Sequence, residues 1–526
     1  MRMARARTIF DTLGGIDRIM SENNIQQPPK FLARFSGSNY GQLVSWGAVY
    51  VLIAGLLQFY VVSLPFDADT AYHAAVGRLI SEHGILRSFP WTPFSWLAEH
   101  YADKELLFHL LFVPFIGLGW ITAAKIVGTI LESLLLFVIY VVLRAEKVRF
   151  AGLWALLPLV TSDVFVFRFA LVRPHLLSLS LAFLLLWAAA RGRFLLLAVV
   201  SALYPWSYVA FWQLPLILLC AVEAARFASG ERVQWRPAAT VMAGVLLGWA
   251  LHPNSLNLWK FNWIHMVDVL FKNAWQSREG IELGPEFLPF TVEQWLRWLL
   301  GAVAMAVTGL VIGWRNRRND SLLLAFAFAA AVFWILTGRT ARFAEYFIPF
   351  SAVSMALASR SISWRWCAPA VFATVLIYSG EPLSETLHGL GTKTERIPPQ
   401  LASSLQQQIP VGSQVFTTDW GHTGTLMLAL PDRRFIVALD PTLFLVKDPA
   451  LYRLWFTIPR RPRPGIAEVI RQRFGARYVV SFWDQRFSKF YYILASEPGI
   501  KTLLVSDMWM VYDLGEGNAG AASGPR

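Results

Sequence analysis

Long runs of apolar residues dominate the chain, and short polar or basic segments separate them. Because a bilayer core is about 30 Å thick, a spanning helix needs about 20 predominantly apolar residues. Runs that reach or approach this length predict about eleven transmembrane helices. These runs lie at residues 42–64, 121–143, 151–167, 174–190, 194–211, 212–226, 237–252, 294–313, 321–337, 346–360 and 366–380. The pattern therefore predicts a polytopic α-helical membrane protein whose transmembrane domain covers residues 42–380.

The two ends of the chain do not follow this pattern. Residues 1–41 are basic and predict a cytoplasmic N-terminal arm with an interfacial helix rather than a signal peptide. Residues 381–515 predict a small α/β domain, because strand-length apolar runs alternate there with helix-like stretches. Residues 516–526 predict a disordered tail. The strands predicted in the α/β domain are 412–419, 433–440, 476–482 and 508–514, and the helices are 401–408, 449–456, 465–475 and 487–496.

The Lys and Arg residues of the short loops set the predicted orientation, since cytoplasmic loops are enriched in them. With the N-terminal arm inside, alternate loops are basic only if residues 104–120 do not span the membrane. We therefore predict an interfacial helix at 104–120 on the outer surface; a spanning helix there would change the side of every later loop. The basic clusters assigned to the cytoplasm are Arg144/Lys147/Arg149, Arg191/Arg193, Arg226/Arg232/Arg236, Arg315/Arg317/Arg318 and Arg360/Arg365.

This orientation places a long first loop, residues 65–120, on the non-cytoplasmic side of the membrane. The shorter connections 168–173, 253–293 and 338–345 lie on the same side. The C-terminal domain, residues 381–515, is then periplasmic or extracellular. We expect the protein in the inner (plasma) membrane of a bacterium.

Composition agrees with a membrane protein and argues against other classes. Charged residues make up 15% of the 526 residues and hydrophobic residues 56%, whereas soluble domains have roughly 25% charged residues. The net charge of +13 does not predict nucleic-acid binding, because the basic residues fall in short clusters between apolar runs. Cys220 and Cys367 have no CxxC or Cys/His ligand spacing, so the sequence offers no support for a zinc site or a disulfide framework.

The most informative polar motif is DADTAYH, residues 67–73, directly after the first apolar run. Asp67 and Asp69, with His73 a turn later, can hold a divalent metal ion or act as a general base. Acidic residues beside the hydrocarbon are costly to place, which favours a functional role. The alternative is that they are loop residues in the water-facing interface that help to cap a helix.

Several stretches, together with the topology, carry a resemblance to a known superfamily. They are FDADTAYH (66–73), FPWTPFSWL (89–97), YADKELLFH (101–109), VRPHLLSLS (172–180), ALHPNSLN (250–257), TGRTARFAEYFIPF (337–350) and VFTTDWGHTGTLMLALPDRRFIVALD (415–440). The combination resembles the GT-C fold glycosyltransferases, and is most similar to a poorly characterised bacterial branch. Members of the superfamily transfer a sugar from a polyprenyl-phosphate carrier on the non-cytoplasmic side. One departure is that Pro441 follows Asp440, where related chains often have a strand that ends D-x-R.

The resemblance implies roles for particular residues. Asp67 would act as the general base, and Asp67 with Asp69 could bind Mg²⁺ or Mn²⁺. His73 would contact the substrate. Asp103 with Glu105 would add a second acidic pair to the site, although Lys104 lies between them and both could instead be solvated loop residues. The leaving phosphate needs positive charge, for which arginine is well suited. The outward arginines that could supply it, or could instead contact lipid headgroups, are Arg168, Arg173, Arg339 and Arg342.

For several other polar residues, a structural role is the simpler interpretation. Asp163 could pair with Arg168 or ligate a metal ion. The histidines in helices or at helix ends are His109, His175 and His252. The residues of the C-terminal domain that could bind an acceptor, or could serve as turn and capping residues, are Asp419, His422 and Asp440.

Together these features predict a membrane glycosyltransferase that uses a polyprenyl-phosphate-linked sugar on the non-cytoplasmic face. The acceptor could be a glycolipid, a polysaccharide or a protein. One alternative is a transporter or flippase for lipid-linked precursors, although the predicted spans carry few charged residues and the sequence has no internal repeat. Another alternative is a non-catalytic scaffold for envelope assembly.

Overall fold

The computed structural model describes residues 38–63, 67–271, 284–392, 397–438, 441–505 and 508–516. The chain divides into two compact units, Met1–Tyr50 and Val51–Arg526. In the first unit, the described residues belong to one helix, α1. Residues 1–37 of the predicted arm and residues 517–526 of the predicted tail lie outside the described residues.

Helices account for most of the described chain as far as Thr392. They are α1 (Ser38–Leu56), α2 (Ala68–His83), α3 (Leu106–Phe112), α4 (Trp120–Ala145), α5 (Ala151–Thr161), α6 (Asp163–Ala170), α7 (His175–Ala190), α8 (Phe194–Ser207), α9 (Gln213–Ala228), α10 (Trp235–Leu251), α11 (Ser255–Trp263), α12 (Val292–Arg315), α13 (Ser321–Arg339), α14 (Ala344–Ala358) and α15 (Cys367–Thr392). Turns of π-helix extend α1 and α11, at Leu57–Val61 and Ile264–Phe271.

Each apolar run identified in the sequence coincides with one helix or with a bent pair of helices. Within the described residues, 4 helical stretches are by themselves long and apolar enough to cross a membrane: Tyr40–Val61, Trp120–Ala145, Val292–Arg315 and Ser321–Arg339. The bent pair α5 and α6 adds one more if it counts as a single span, and the apolar helices α7 and α8 are shorter. The polytopic helical fold is therefore confirmed, whereas eleven spans stays a prediction.

The run predicted as one span at 151–167 is divided into α5 and α6, which meet at an angle of 99°. Ser162, between them, has an extended backbone with φ −158° and ψ 133°, which interrupts the helix. Asp163 then begins α6, where the helix dipole favours a negative charge. The break changes the direction of the chain just ahead of Arg168 and Arg173, two of the predicted site residues.

Residues 104–120, predicted not to span the membrane, contain only short helices. The helix α3 has 7 residues, or about 10 Å at a rise of 1.5 Å per residue. Ile116–Leu118 forms a single 3₁₀ turn. Neither element approaches the roughly 30 Å of a bilayer core. The alternative in which this stretch is one spanning helix is therefore excluded.

The loops that carry the predicted cytoplasmic basic clusters meet at one end of the helical bundle. The Glu146 carboxylate pairs with both Arg191 and Arg360, and Arg360 also pairs with Asp320 at 2.5 Å. The guanidinium of Arg226 donates to a backbone carbonyl near the end of α7 at 2.8 Å. Since these groups lie in the last turn of α9 or just after α4, α7, α12 and α14, the C-terminal ends of these helices lie on one side of the bundle, as the predicted topology requires.

The C-terminal part contains a five-stranded mixed sheet with the strand order β2–β1–β3–β5–β4. The strands are β1 (Gln414–Phe416), β2 (Arg434–Phe435), β3 (Tyr478–Phe482), β4 (Lys501–Val505) and β5 (Trp509–Asp513). β1 pairs in parallel with β2 and β3, and β5 pairs antiparallel with β3 and β4. The helices are α16 (Pro399–Gln408), α17 (Thr423–Ala429), α18 (Pro441–Lys447), α19 (Pro449–Arg460), α20 (Ile466–Phe474) and α21 (Ser488–Ser496).

This sheet confirms the small α/β fold expected near the C-terminus. Every predicted strand contains an observed strand, and β4 is the strand that the sequence pattern did not predict. It lies at the edge of the sheet and has no buried residue. An edge strand without a buried face lacks the alternation of polar and apolar residues by which strands are recognised.

A glycine sets how closely the C-terminal part packs on the helix that follows the first apolar run. The helix α17 packs against α2, and a Cβ added to Gly424 would lie 2.1 Å from the carbonyl oxygen of Ala68. The same Cβ would lie 3.0 Å from the Cβ and the backbone nitrogen of Tyr72. Only a residue without a side chain permits this approach, which joins the α/β part to the helix that begins at the DADTAYH motif.

We expect Gly424→Ala to lower the free energy of unfolding by about 1–3 kcal/mol, the usual cost of overpacking. The matched control is Gly389→Ala, because Gly389 is also helical but has no atom within 4 Å of its added Cβ. Thermal unfolding of the detergent-solubilised protein measures both changes. Equal stability of the two variants would contradict the close contact between α17 and α2.

The topology predicts opposite labelling of two single-cysteine variants, made after Cys220 and Cys367 are replaced by serine. A cysteine at position 413 (Ser413→Cys) should react with a membrane-impermeant reagent in intact spheroplasts. A cysteine at position 316 (Asn316→Cys), in the loop after α12, should react only after permeabilisation. The reverse result would show that the proposed orientation is wrong.

Candidate active site

The second unit contains a cavity of about 930 Å³, a size typical of ligand sites. Its walls come from α2, the segment between α2 and α3, the chain around α6, the turn after α13 and the C-terminal domain. The predicted site residues that line it are Asp67, Asp69, His73, Asp103, Glu105, Arg168, Arg173 and Arg342. Arg339 is exposed and is not one of the described lining residues. The cavity therefore brings together eight of the nine residues to which the resemblance assigned a role.

Arg173 lies between the two carboxylates of the DADTAYH motif. Its Nη1 is 2.6 Å from Oδ2 of Asp69, and its Nη2 is 3.5 Å from Oδ1 of Asp67. The side chains of Arg173 and Asp67 are 16% and 12% exposed, so solvent screens their attraction only weakly. The two acidic residues are thus joined by a guanidinium for which the sequence had suggested a role with phosphate or with lipid headgroups, and not with Asp67 and Asp69.

Asp67 also caps the helix α2. Its Oδ1 accepts a hydrogen bond from the backbone N–H of Thr70 at 2.7 Å, and its Oδ2 accepts one from the Thr70 hydroxyl at 2.7 Å. This is the capping role that the sequence left open, and it fixes the orientation of the carboxylate at the cavity wall. Burial raises the pKa of the Asp67 carboxyl above its ordinary value, although Arg173 opposes the rise and Asp69 adds to it.

A chain of hydrogen bonds links three buried residues of the first loop. Nδ1 of His109 lies 2.8 Å from the Asp103 carboxylate, and Nε2 of His109 lies 2.8 Å from Nδ1 of His73. Because His109 donates from Nδ1 to Asp103, its Nε2 accepts and His73 is the donor. Burial, with the charges of His109 and Arg173, lowers the pKa of His73 well below its ordinary value. Burial raises the pKa of Asp103, but the charge and hydrogen bond of His109, the backbone N–H of Glu105 and the charge of His252 together outweigh it, so the net shift is downward.

Glu105 completes this buried cluster. Its Oε2 lies 3.8 Å from Nδ1 of His73, and its Oε1 lies 3.7 Å from Nζ of Lys104. Ligand atoms of His73, Glu105 and His109 all lie within 4.8 Å of one another. Among the described residues, this is the group that has the spacing of metal ligands. The assignment of a metal ion to Asp67 and Asp69 stays a prediction.

Basic side chains form a second cluster around Glu345. Arg168 donates from Nε and Nη2 to Oε2 of Glu345, at 3.1 and 2.7 Å. Nε of Arg173 and both ring nitrogens of His175 are buried and have no hydrogen-bond partner among the described residues. Arg342 and His175 line the same cavity. Oε1 of Glu345 is also buried without a partner among the described residues, so the cluster leaves one acceptor as well as several nitrogens unsatisfied. The unsatisfied guanidinium N–H of Arg173 suits an anionic ligand.

The partner of Arg168 is a residue that the sequence did not single out. Asp163, the sequence-based candidate, instead accepts a hydrogen bond from the backbone N–H of Val164 at the start of α6. Arg168 and Glu345 are 177 positions apart, so no local pattern could connect them. The available signal was the position of Glu345 at the edge of an apolar run, where an acidic residue is costly and is usually paired.

The C-terminal domain contributes His422 to the cavity wall. The imidazole of His422 stacks on the ring of Phe482, with a centroid distance of 4.3 Å. Asp419 accepts a hydrogen bond at 2.7 Å from the backbone two residues further on, which is the turn role considered for it. Asp419 is not one of the residues that line the cavity, and Asp440 lies outside the described residues.

No protein-family model matches the chain, and no curated protein sequence matches it. Its structure is nevertheless similar to several solved structures. The oligosaccharyltransferase AglB from Archaeoglobus fulgidus, in complex with an inhibitory peptide and a dolichol-phosphate, aligns with a TM-score of 0.57 at 13% identity. The alignment covers 86% of this chain and 71% of AglB.

Two further structures show the same similarity. ArnT from Cupriavidus metallidurans, bound to undecaprenyl phosphate, has a TM-score of 0.57 at 13% identity over 92% of this chain and 99% of ArnT. The arabinofuranosyltransferase AftD from Mycobacteria has a TM-score of 0.53 at 16% identity, over 92% of this chain and 42% of AftD. At these identities the similarity establishes the fold. The chain has the GT-C fold, as the resemblance of its motifs implied.

Proposed function

We propose that this protein is a membrane glycosyltransferase that transfers a sugar from a polyprenyl-phosphate-linked donor to an acceptor on the non-cytoplasmic face. A fold alone does not define an activity, so the proposal rests on the cavity. Two fold neighbours add support, because they were solved with dolichol-phosphate and undecaprenyl phosphate. The proposal includes a bacterial inner-membrane location with the N-terminus in the cytoplasm. It leaves open whether the acceptor is a glycolipid, a polysaccharide or a protein.

The observation that carries the proposal is the basic cluster at the cavity wall, in which Nε of Arg173 and both ring nitrogens of His175 have no partner among the described residues. Buried polar atoms without partners cost free energy, and a ligand that pairs with them recovers it. A phosphate group offers several acceptor oxygens, and the fork of an arginine can bind two of them. Negative charge grows on the phosphate as its bond to the sugar breaks, so donors held in place here stabilise the transition state.

Asp67 supplies the other half of the proposed chemistry. An acceptor hydroxyl or amide attacks the anomeric carbon of the sugar, and its proton passes to the Asp67 carboxylate. The bond between the anomeric carbon and the phosphate oxygen breaks, and its electron pair stays on the phosphate. The raised pKa of Asp67 makes it a stronger base than an exposed aspartate. The products are the glycosylated acceptor and the polyprenyl phosphate.

Apolar residues in the cavity wall suit the tail of the carrier lipid. A polyprenyl chain needs an apolar surface next to the site that holds its phosphate. Apolar residues of the helical part that line the same cavity as the arginines include Phe167, Leu214, Ile217, Phe261 and Met266. Trp420 and His422 of the C-terminal domain also line the cavity. We assign the apolar residues of the helical part to the lipid donor and the residues of the C-terminal domain to the acceptor.

Arg173→Ala should lower sugar transfer at least about 100-fold, the usual loss when a donor to a developing anion is removed. Arg339→Ala is the matched control, because Arg339 is exposed and does not line the cavity as described. Transfer from radiolabelled polyprenyl-phosphate sugars in membranes measures both variants, and gel filtration checks their folding. Equal transfer by wild type, Arg173→Ala and Asp67→Asn would refute the proposed site and would favour the transporter or the scaffold.

Replacement of Asp69 tests the role of Asp67 through pH. The Asp69 carboxylate helps to raise the pKa of Asp67, and it shares Arg173 with Asp67. In Asp69→Asn the pKa of Asp67 should therefore fall, so that the base stays ionised at lower pH. We expect the acidic limb of the pH–rate profile to move to lower pH than in wild type. A limb that stays in place or moves to higher pH would show that Asp67 is not the titrating base.

A further inference from the structure

Three buried side chains of the first loop bring potential ligand atoms together beside the cavity. These atoms belong to His73, Glu105 and His109 and lie within 4.8 Å of one another. We propose that these residues bind a divalent transition-metal ion of the zinc class, with an open coordination position toward the cavity. Metal binding itself does not depend on the proposed function, whereas the role given to the ion rests on it.

The interatomic distances fit such a site after a small adjustment. Tetrahedral zinc binds nitrogen and oxygen at about 2.0–2.2 Å, so neighbouring ligand atoms lie about 3.3–3.6 Å apart. Nδ1 of His73 is 2.8 Å from Nε2 of His109 and 3.8 Å from Oε2 of Glu105. The first distance must therefore increase by about 0.5–0.8 Å, and the second must decrease by about 0.2–0.5 Å. Rotations of the side chains about their χ angles can supply changes of this size.

Asp103 orients His109 and Glu105, two of the three proposed ligands. Its carboxylate accepts from Nδ1 of His109 at 2.8 Å, which fixes the tautomer whose Nε2 carries a lone pair. Its Oδ1 also accepts from the backbone N–H of Glu105 at 3.0 Å. A carboxylate that orients a ligating histidine through its second nitrogen is a recurrent feature of zinc sites. Lys104 faces the other oxygen of Glu105 and leaves Oε2 for the metal ion.

The donor atoms distinguish this ion from the one predicted for Asp67 and Asp69. Paired carboxylates favour Mg²⁺ or Mn²⁺, whereas imidazole nitrogens favour zinc and similar ions. Three protein ligands and one open position are typical of catalytic zinc sites rather than of structural ones. Since His73, Glu105 and His109 line the cavity, a water molecule or a phosphate oxygen of the donor can occupy the fourth position.

The same residues could instead form only a hydrogen-bonded chain from His73 through His109 to Asp103. In that arrangement a proton lies between Nδ1 of His73 and Nε2 of His109. In the metal site the ion takes the place of this proton, and His73 carries its proton on Nε2. The two arrangements exclude each other, so the metal content of the protein decides between them.

The test uses full-length protein purified in detergent, stripped with a chelator and then equilibrated with Zn²⁺. After unbound metal is removed, elemental mass spectrometry should find close to one zinc ion per chain in wild type, also in the presence of excess Mg²⁺. The His73→Asn/His109→Asn double variant should retain none, and Asp103→Asn should bind about 10–100-fold more weakly. His100→Asn is the matched control, because His100 is an exposed histidine of the same loop and its loss should not change zinc binding.

Co²⁺ loading of wild type gives a second measurement that does not depend on the folding of a variant. Visible absorption bands of tetrahedral Co²⁺ should appear and should disappear when Zn²⁺ is added. A wild-type protein that binds neither ion, or a double variant that binds as much zinc as wild type, would overturn the proposal. Sugar transfer is measured on the same samples. Bound zinc without transfer would refute the proposed function and keep the metal site, whereas full transfer by stripped protein would keep the function and remove the ion from it.

Discussion

A charge that leaves water must find an opposite charge or a ligand, and this requirement organises the cavity. Desolvation of a carboxylate or a guanidinium costs roughly several kcal/mol per ion. Only close and well-oriented partners offset this cost. Arg173 meets the requirement for Asp67 and Asp69, and Arg168 meets it for Glu345. Where the protein does not complete the pairing, as at His175, the unsatisfied groups mark the place that a charged ligand would fill.

Features of the backbone determine where these charges meet. The break at Ser162 turns the chain by 99° ahead of Arg168 and Arg173. Close packing at Gly424 brings the C-terminal domain onto α2, the helix that Asp67 caps. Burial of apolar side chains holds the helices together. Because apolar side chains are buried along much of each helix, this burial does not by itself determine where a charged side chain lies. The break at Ser162 and the close approach at Gly424 do so, because the first redirects the chain before Arg168 and the second lets α17 contact α2 directly.

The cavity thus offers different chemical environments within one volume. One is a capped carboxylate whose pKa is raised, another is a basic cluster suited to phosphate, and a third is the buried group of imidazoles and carboxylates in the first loop. Arg173 belongs to the first two of these environments, since it contacts Asp67 and lies two residues before His175 in the chain. Proton removal from an acceptor and charge build-up on a leaving phosphate are therefore proposed to take place around one guanidinium. This proximity makes the cavity suitable for group transfer between two bound substrates.

The sequence by itself determined the features that depend on neighbouring residues. Apolar length gave the polytopic helical class, strand-length alternation indicated the α/β region, and the spacing of Asp67, Asp69 and His73 marked the site. Only the tertiary structure decided the partners, such as Glu345 for Arg168 and Arg173 for Asp67, which are 177 and 106 positions apart. It also separated Arg342 from Arg339, although they are close in sequence, because α13 ends at Arg339 and the chain turns before Arg342. Partners across such separations depend on which helices pack together, and no local pattern of residues encodes that choice.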